Sequence, residues 1–236
     1  MARFIKLSVL ALVSCLAFLL SPGASALFVD VDYGDWYYEY VSAAADMELV
    51  NGTGDRRFSP EDNITRAQFI TILGRIAGVS EDGGHVSPGY SDVPEDAYYA
   101  PYVSWGEETG VISSDTLFRP HSPITRQELA ATVSRFVSTL DVSLEPAEDV
   151  QPEFSDMDQV SPWAVEHVEA MRVWGLLQGD GNGRLNPTDE TTRAQATAVL
   201  VRLSELLGEE NVSSGPDEPS VQLTPRIFRY IYHAGG

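Results

Sequence analysis

Apolar positions along the chain gather in short runs at helical spacing, separated by polar segments rich in glycine, proline and acid. Val41, Ala45 and Leu49 stand four apart; Val103 and Val111, and then Val168, Met171 and Leu176, mark the corresponding faces further on. A second set follows each of these: Phe69, Ile70, Leu73 and Ile76; Leu129, Val133, Phe136 and Val137; Val199, Leu200 and Leu203. This periodicity predicts α-helices with one buried face. The segments between the two sets, such as Gly52-Thr53-Gly54-Asp55-Arg56-Arg57-Phe58-Ser59-Pro60, carry turn chemistry with room for only a very short strand. The pattern therefore predicts helix, loop, helix, written three times.

Each second helix opens on the same signature: Thr65-Arg66-Ala67-Gln68, Thr125-Arg126-Gln127-Glu128 and Thr192-Arg193-Ala194-Gln195. Thr followed three residues later by Gln or Glu is a capping box, in which hydroxyl and amide or carboxylate each satisfy one backbone N–H. Capping accounts for Thr65, Gln68, Thr125, Glu128, Thr192 and Gln195. It leaves the arginine unexplained, because a cation in the first turn faces the positive end of the helix dipole. The expectation drawn from this is a bound anion, held by the guanidinium fork together with free N–H groups of the helix start.

Aligning the three arginines reveals a longer register. Upstream lie Phe28-Val29-Asp30-Val31, Tyr90-Ser91-Asp92-Val93 and Phe154-Ser155-Asp156-Met157, then Trp36, Tyr98 and Trp163. Gly52, Ser114 and Gly179 follow at equal distance, and the glycines are expected to end the first helices in the left-handed conformation. Pro60, Pro120 and Pro187 precede the arginines, and Arg75, Arg135 and Arg202 follow them, expected to pair with surface acids. Copy two departs most, with Tyr98 for Trp, Ser114 for Gly and a shorter loop.

Residues 1–26 read as a secretory signal peptide: a basic start at Arg3 and Lys6, an apolar stretch from Leu7 to Leu20, and Ala24-Ser25-Ala26 before the cut. A lipoprotein signal at Cys15 is the weaker reading, because it would leave the apolar residues 16–20 on the mature chain. Cys15 is the only cysteine, so the exported chain is expected to have no disulfide. A formal net charge of −20 makes nucleic acid and anionic membranes poor partners. The histidines lack zinc spacing, and Asp180-Gly181-Asn182-Gly183 lacks the later ligands of a calcium loop, so it reads as a turn. No nucleophile motif or phosphate-cradling loop appears, and no cofactor or metal is expected.

The spaced features together resemble the S-layer homology (SLH) domain, over residues 28–207. The resemblance implies a mainly α fold: three helix-loop-helix SLH repeats in a pseudo-threefold unit with a central three-helix bundle. It implies repeats at residues 27–79, 80–140 and 141–207; after Leu207 the Gly-, Ser-, Pro- and acid-rich composition itself reads as a flexible linker, so that 208–236 is a linker and short C-terminal tail. It further implies a non-catalytic, exported module that binds secondary cell-wall polysaccharide, typically pyruvylated, in grooves between repeats. Mapped onto this chain, the ligand-binding positions are Arg66, Arg126 and Arg193; Trp36, Tyr98 and Trp163; Asp30, Asp92 and Asp156; and Gly52 and Gly179. A pyruvyl carboxylate suits a bidentate guanidinium, and an indole face suits the apolar side of a sugar. The departures in copy two point to its groove as the weakest. An alternative is a protein-interaction or self-assembling envelope component contacting other envelope proteins; a wall-polysaccharide hydrolase is the least favoured reading.

Overall fold

A computed structural model describes residues 27–80, 89–113, 116–140 and 142–213. The signal peptide, most of the linker after Ser80, Ser114 and residues 214–236 lie outside the described residues. The described chain is mainly helical: α1 (Tyr38–Asp46), α2 (Arg66–Ile76), α3 (Ala100–Glu108), α4 (Arg126–Thr139), α5 (Val165–Val173) and α6 (Arg193–Ser213), with a 3-10 turn at Met157–Gln159. Among these residues the only β pairing is a set of isolated bridges.

The helices form where the apolar spacing places them, but two boundaries differ from expectation. The left-handed residues after the first helices are Glu48 (φ 56°), Gly110 (φ 76°) and Gly175 (φ 71°), not Gly52 or Gly179. Those two glycines answer a different need. A Cβ at Gly52 would sit 2.6 Å from the carbonyl oxygen of Arg57, so this loop folds back as it does only over a residue without a side chain; one at Gly179 would sit 3.1 Å from that of Arg184, a crowded contact that the backbone would have to yield to. The second difference is α6, which continues through Gly208 to Ser213 where a flexible linker is expected. Leu203 and Leu207 are buried just upstream, and extending a helix already anchored by tertiary packing costs little. The linker before Gln151 is also less solvated than its composition suggests: Val142 and Leu144 pack on the core, and Ala147 N–H donates to Val173 O at 2.9 Å.

Each first helix packs on the second helix of the preceding repeat. Helix α3 lies on α2, α5 on α4, and α1 closes the cycle on α6. The residues before the second helices complete the connection through a ring of backbone hydrogen bonds. Ile64 N donates to Thr191 O (2.9 Å), Thr191 N to Ile124 O (2.9 Å), and Ile124 N to Ile64 O (3.1 Å). These residues are at most 2% exposed, so the ring satisfies backbone groups that would otherwise be buried without partners. No repeat can form its share alone.

Candidate functional site: grooves between the repeats

The site begins with a loop residue held in a conformation its side chain disfavours. Ser59, Arg119 and Asn186 occupy equivalent positions just before each proline, with φ of 57°, 58° and 55°. Only Asn186 is a residue that tolerates the left-handed region well. Each is fixed by an aspartate from the start of its own repeat. Asp30 accepts from Phe58 N (2.7 Å) and Ser59 N (2.8 Å), Asp92 from Phe118 N (2.8 Å) and Arg119 N (2.7 Å), and Asp156 from Leu185 N (2.7 Å) and Asn186 N (2.8 Å). These carboxylates thus clamp the loops. Burial alone would raise the Asp30 carboxyl, but the two N–H groups and nearby Arg57 outweigh it and leave the group below its ordinary value.

The clamped loop presents the carbonyl of Phe58, Phe118 or Leu185 to the signature arginine of the preceding repeat. Arg66 Nε donates to Phe118 O (2.8 Å), Arg126 Nε to Leu185 O (2.6 Å), and Arg193 Nε to Phe58 O (2.8 Å). Arg66 and Arg193 also lie over the rings of Phe118 and Phe58, at 5.1 and 4.7 Å from the centroids. The arginines therefore bridge repeats in a cycle.

The helix-start N–H groups do not serve as an anion cradle. Arg66 N and Ala67 N donate to Ser122 O and Pro120 O, Arg126 N and Gln127 N to Asp189 O and Pro187 O, and Arg193 N and Ala194 N to Asp62 O and Pro60 O. The following N–H belongs to the cap, where Thr65 with Gln68, Thr125 with Glu128, and Thr192 with Gln195 exchange reciprocal bonds. Any electrostatic attraction for an anion must come from the guanidinium groups.

Two grooves contain those groups. One, of about 530 Å³, is lined by Trp36, Arg126, Gly179, Gln195 and Arg202, with Asp180, Asp189 and Glu190 also on its walls. The other, of about 350 Å³, is lined by Tyr98, Arg193, Asn51, Gly52, Gln68 and Arg75. Each draws its aromatic, its signature arginine and its floor from three different repeats, so a groove does not belong to one copy. Trp36, Tyr98 and Trp163 are 57%, 62% and 50% exposed, which removes them from the core. Their neighbours Tyr37 and Tyr99 are buried and meet Trp36 and Tyr98 edge-on.

Within these grooves Arg126 is further bonded to Gln178 O (2.7 Å) and Arg193 to Asn51 O (3.0 Å). These acceptors, Leu185 O and Gln178 O for Arg126 and Phe58 O and Asn51 O for Arg193, are neutral carbonyls. Burial lowers both guanidinium pKa values from their ordinary one, opposed by Asp189 and by Asp62; a guanidinium in a protein nonetheless keeps its charge. Burial raises the Tyr98 phenol, with Arg75 and Arg193 acting against it. Arg66 differs from both, because Glu128 Oε1 lies 3.2 Å from its Nη1.

Arg75 and Arg202, placed on the surface by the sequence reading, line the same grooves as Arg193 and Arg126. Arg202 stacks on Tyr40 (4.8 Å) and donates to its hydroxyl, to Leu176 O and to Gln178 Oε1; Arg75 donates to Leu49 O. Their recurrence nine residues after the signature arginine was the available signal. Its meaning required knowing that the groove runs along the second helix rather than across its tip. Asp180 accepts from Asn182 N and Arg184 N in a local turn, and among the described residues no three metal-ligating side chains converge.

Fold and grooves together define a three-repeat helical module with binding clefts built between repeats. The S-layer homology domain model matches residues 27–70, 89–130 and 153–197, and the chain belongs to that family. Similar proteins include an endoglucanase of Bacillus sp. (strain KSM-635), 29% identical over 210 residues, covering 84% of this chain and 22% of that protein. A cellulosome-anchoring protein of Acetivibrio thermocellus is 27% identical over 152 residues, covering 63% of this chain and 33% of its own. S-layer protein sap of Bacillus anthracis is 25% identical over 195 residues, covering 81% and 23%. The chain thus spans a third or less of the length of each of these relatives.

Proposed function

We propose that this chain is a non-catalytic module that fastens an exported protein to the cell wall by binding an acidic, pyruvylated wall polysaccharide in its inter-repeat grooves. One observation carries the reading: in two grooves a signature guanidinium rests on carbonyl oxygens beside an exposed aromatic ring. A carbonyl orients an arginine without cancelling its charge, and a carboxylated sugar supplies the missing counter-charge through a bidentate bond. Trp36 and Tyr98 offer flat faces for the apolar side of the ring. In a chain of net charge −20, cations gathered in clefts focus the field where the rest of the surface repels an acidic polymer. Asp30, Asp92 and Asp156 act indirectly, by holding the loops that hold the arginines. Gly52 and Gly179, on the groove floors, act indirectly too, by letting each loop close against its own backbone.

Several grooves on one body meeting a repeating polymer raise retention through effective concentration, even if each binds weakly. The anchoring and S-layer names of relatives agree with a cell-surface location, and no helix among the described residues is long and apolar enough to cross a membrane. The endoglucanase likeness spans under a quarter of that enzyme, and hydrolysis is not carried over from it. The test is cosedimentation of the mature protein with purified wall polymer, before and after removal of pyruvyl groups. Loss of binding on depyruvylation, and in Arg126→Ala with Arg193→Ala, is expected. Binding that survives either change, or that requires residues 221–236, would favour a protein-interaction role instead.

A further inference from the structure

The grooves share a signature but not a charge balance. Glu128 uses Oε2 for its cap, accepting from Thr125 N at 2.9 Å, and turns Oε1 to Arg66 at 3.2 Å. Gln68 and Gln195 use Oε1 for the same cap, accepting from Thr65 N at 3.0 Å and Thr192 N at 3.1 Å. The remaining arm of each is an NH2 group, which cannot accept from an arginine. It can donate to an anion. Gln68 lines the groove of Arg193, and Gln195 that of Arg126.

The two glutamine grooves differ in turn. Asp180, Asp189 and Glu190 stand among the walls around Arg126 and Arg202. Asp180 and Glu190 are engaged by Asn186 and Asn63, but their negative charge remains. Among the described residues the groove of Arg193 has no carboxylate in its lining, and it sets Arg193 and Arg75 beside Tyr98. Asp62 and Asp30 act on Arg193 from outside that lining.

Building on the anchoring function argued above, we propose that the residue at the last position of each signature decides which grooves take an acidic sugar. The cleft of Arg193, Arg75, Gln68 and Tyr98 is the primary site, the cleft of Arg126 and Trp36 a weaker one, and Glu128 closes the Arg66 position by supplying the counter-charge internally. The departure of Tyr98 from tryptophan therefore does not mark the weakest groove, contrary to the expectation from sequence. An anionic ligand at Arg66 must displace a carboxylate already in place, whereas at Arg193 it meets no such competitor.

The test is a reciprocal exchange that preserves every capping box, because glutamine and glutamate both complete it. The probe is a methyl glycoside bearing a 4,6-O-pyruvyl ketal, titrated calorimetrically into the mature protein, with the unpyruvylated glycoside as control. Gln68→Glu should weaken the tightest binding at least tenfold, and Glu128→Gln should add a binding event absent from the wild type. Circular dichroism of both variants should match the wild type. If the wild type binds the ketal and both variants bind it identically, the assignment of residues 68 and 128 is overturned while anchoring stands. If the wild type ignores the ketal, or binds both glycosides equally, the anchoring reading and this inference fall together.

Discussion

Arg66 and Arg193 occupy the same place in the same four-residue signature, follow the same capped threonine, and donate through Nε to the same kind of clamped carbonyl at 2.8 Å. They differ in what else they touch. Arg66 has a carboxylate at 3.2 Å; Arg193 has a second carbonyl at 3.0 Å and a cleft with no acid among its described lining residues. Repetition of a motif thus fixes where a guanidinium sits but not whether its charge is available. Availability is decided by a residue contributed from a different repeat, which is why one copy cannot be judged by its own sequence.

The largest expected difference lies in binding. Arg193→Ala should reduce affinity for the acidic polymer by roughly 10- to 100-fold, the worth of a charged hydrogen-bonded contact, whereas Arg66→Ala should change it less than about threefold. Surface plasmon resonance on immobilised polymer would read this directly, and equal losses would erase the distinction. The clamps extend the contrast. Asp30→Ala and Asp92→Ala should each destabilise the fold by about 2–3 kcal/mol, because two backbone N–H groups lose their acceptor. Only Asp30→Ala, which loosens the loop under Arg193, should also weaken binding. Chemical denaturation alongside binding separates the two.

A smaller effect concerns acid. The Asp30 carboxyl titrates below its ordinary value of 3.8 in the folded state, so its contribution is complete above that value and lost as pH falls through the lowered one. Asp30→Asn should therefore flatten the loss of stability between about pH 5 and pH 2, measured by thermal melts across that range. The smallest effect is on backbone strain. Ser59→Gly and Arg119→Gly should each stabilise by about 1 kcal/mol, because glycine adopts the left-handed region without steric penalty. Asn186→Gly should gain less.

The helices, caps and repeat register were legible because each rests on local spacing: apolar residues on one face, and threonine three before glutamine or glutamate. The exposed aromatics were legible as a recurring position, although their exposure was not. What sequence could not carry was the exchange between repeats. Nothing local in Asp30 says that its oxygens meet Phe58 and Ser59, and nothing in Thr65-Arg66-Ala67-Gln68 says that the N–H groups of Arg66 and Ala67 are taken by Ser122 O and Pro120 O. The same blindness misplaced Gly52 and Gly179 as helix stops and kept Arg75 and Arg202 out of the grooves they line. Each of these depends on backbone brought from far along the chain.

The most direct test follows the arginine Nε–H resonances of Arg66, Arg126 and Arg193, each held by a carbonyl, in NMR spectra of the mature protein titrated with the pyruvylated glycoside. The account predicts that Arg193 shifts at the lowest concentration, Arg126 at a higher one, and Arg66 not at all until Glu128 is replaced by glutamine. Equal shifts at all three, or shifts also caused by the unpyruvylated glycoside, would contradict it.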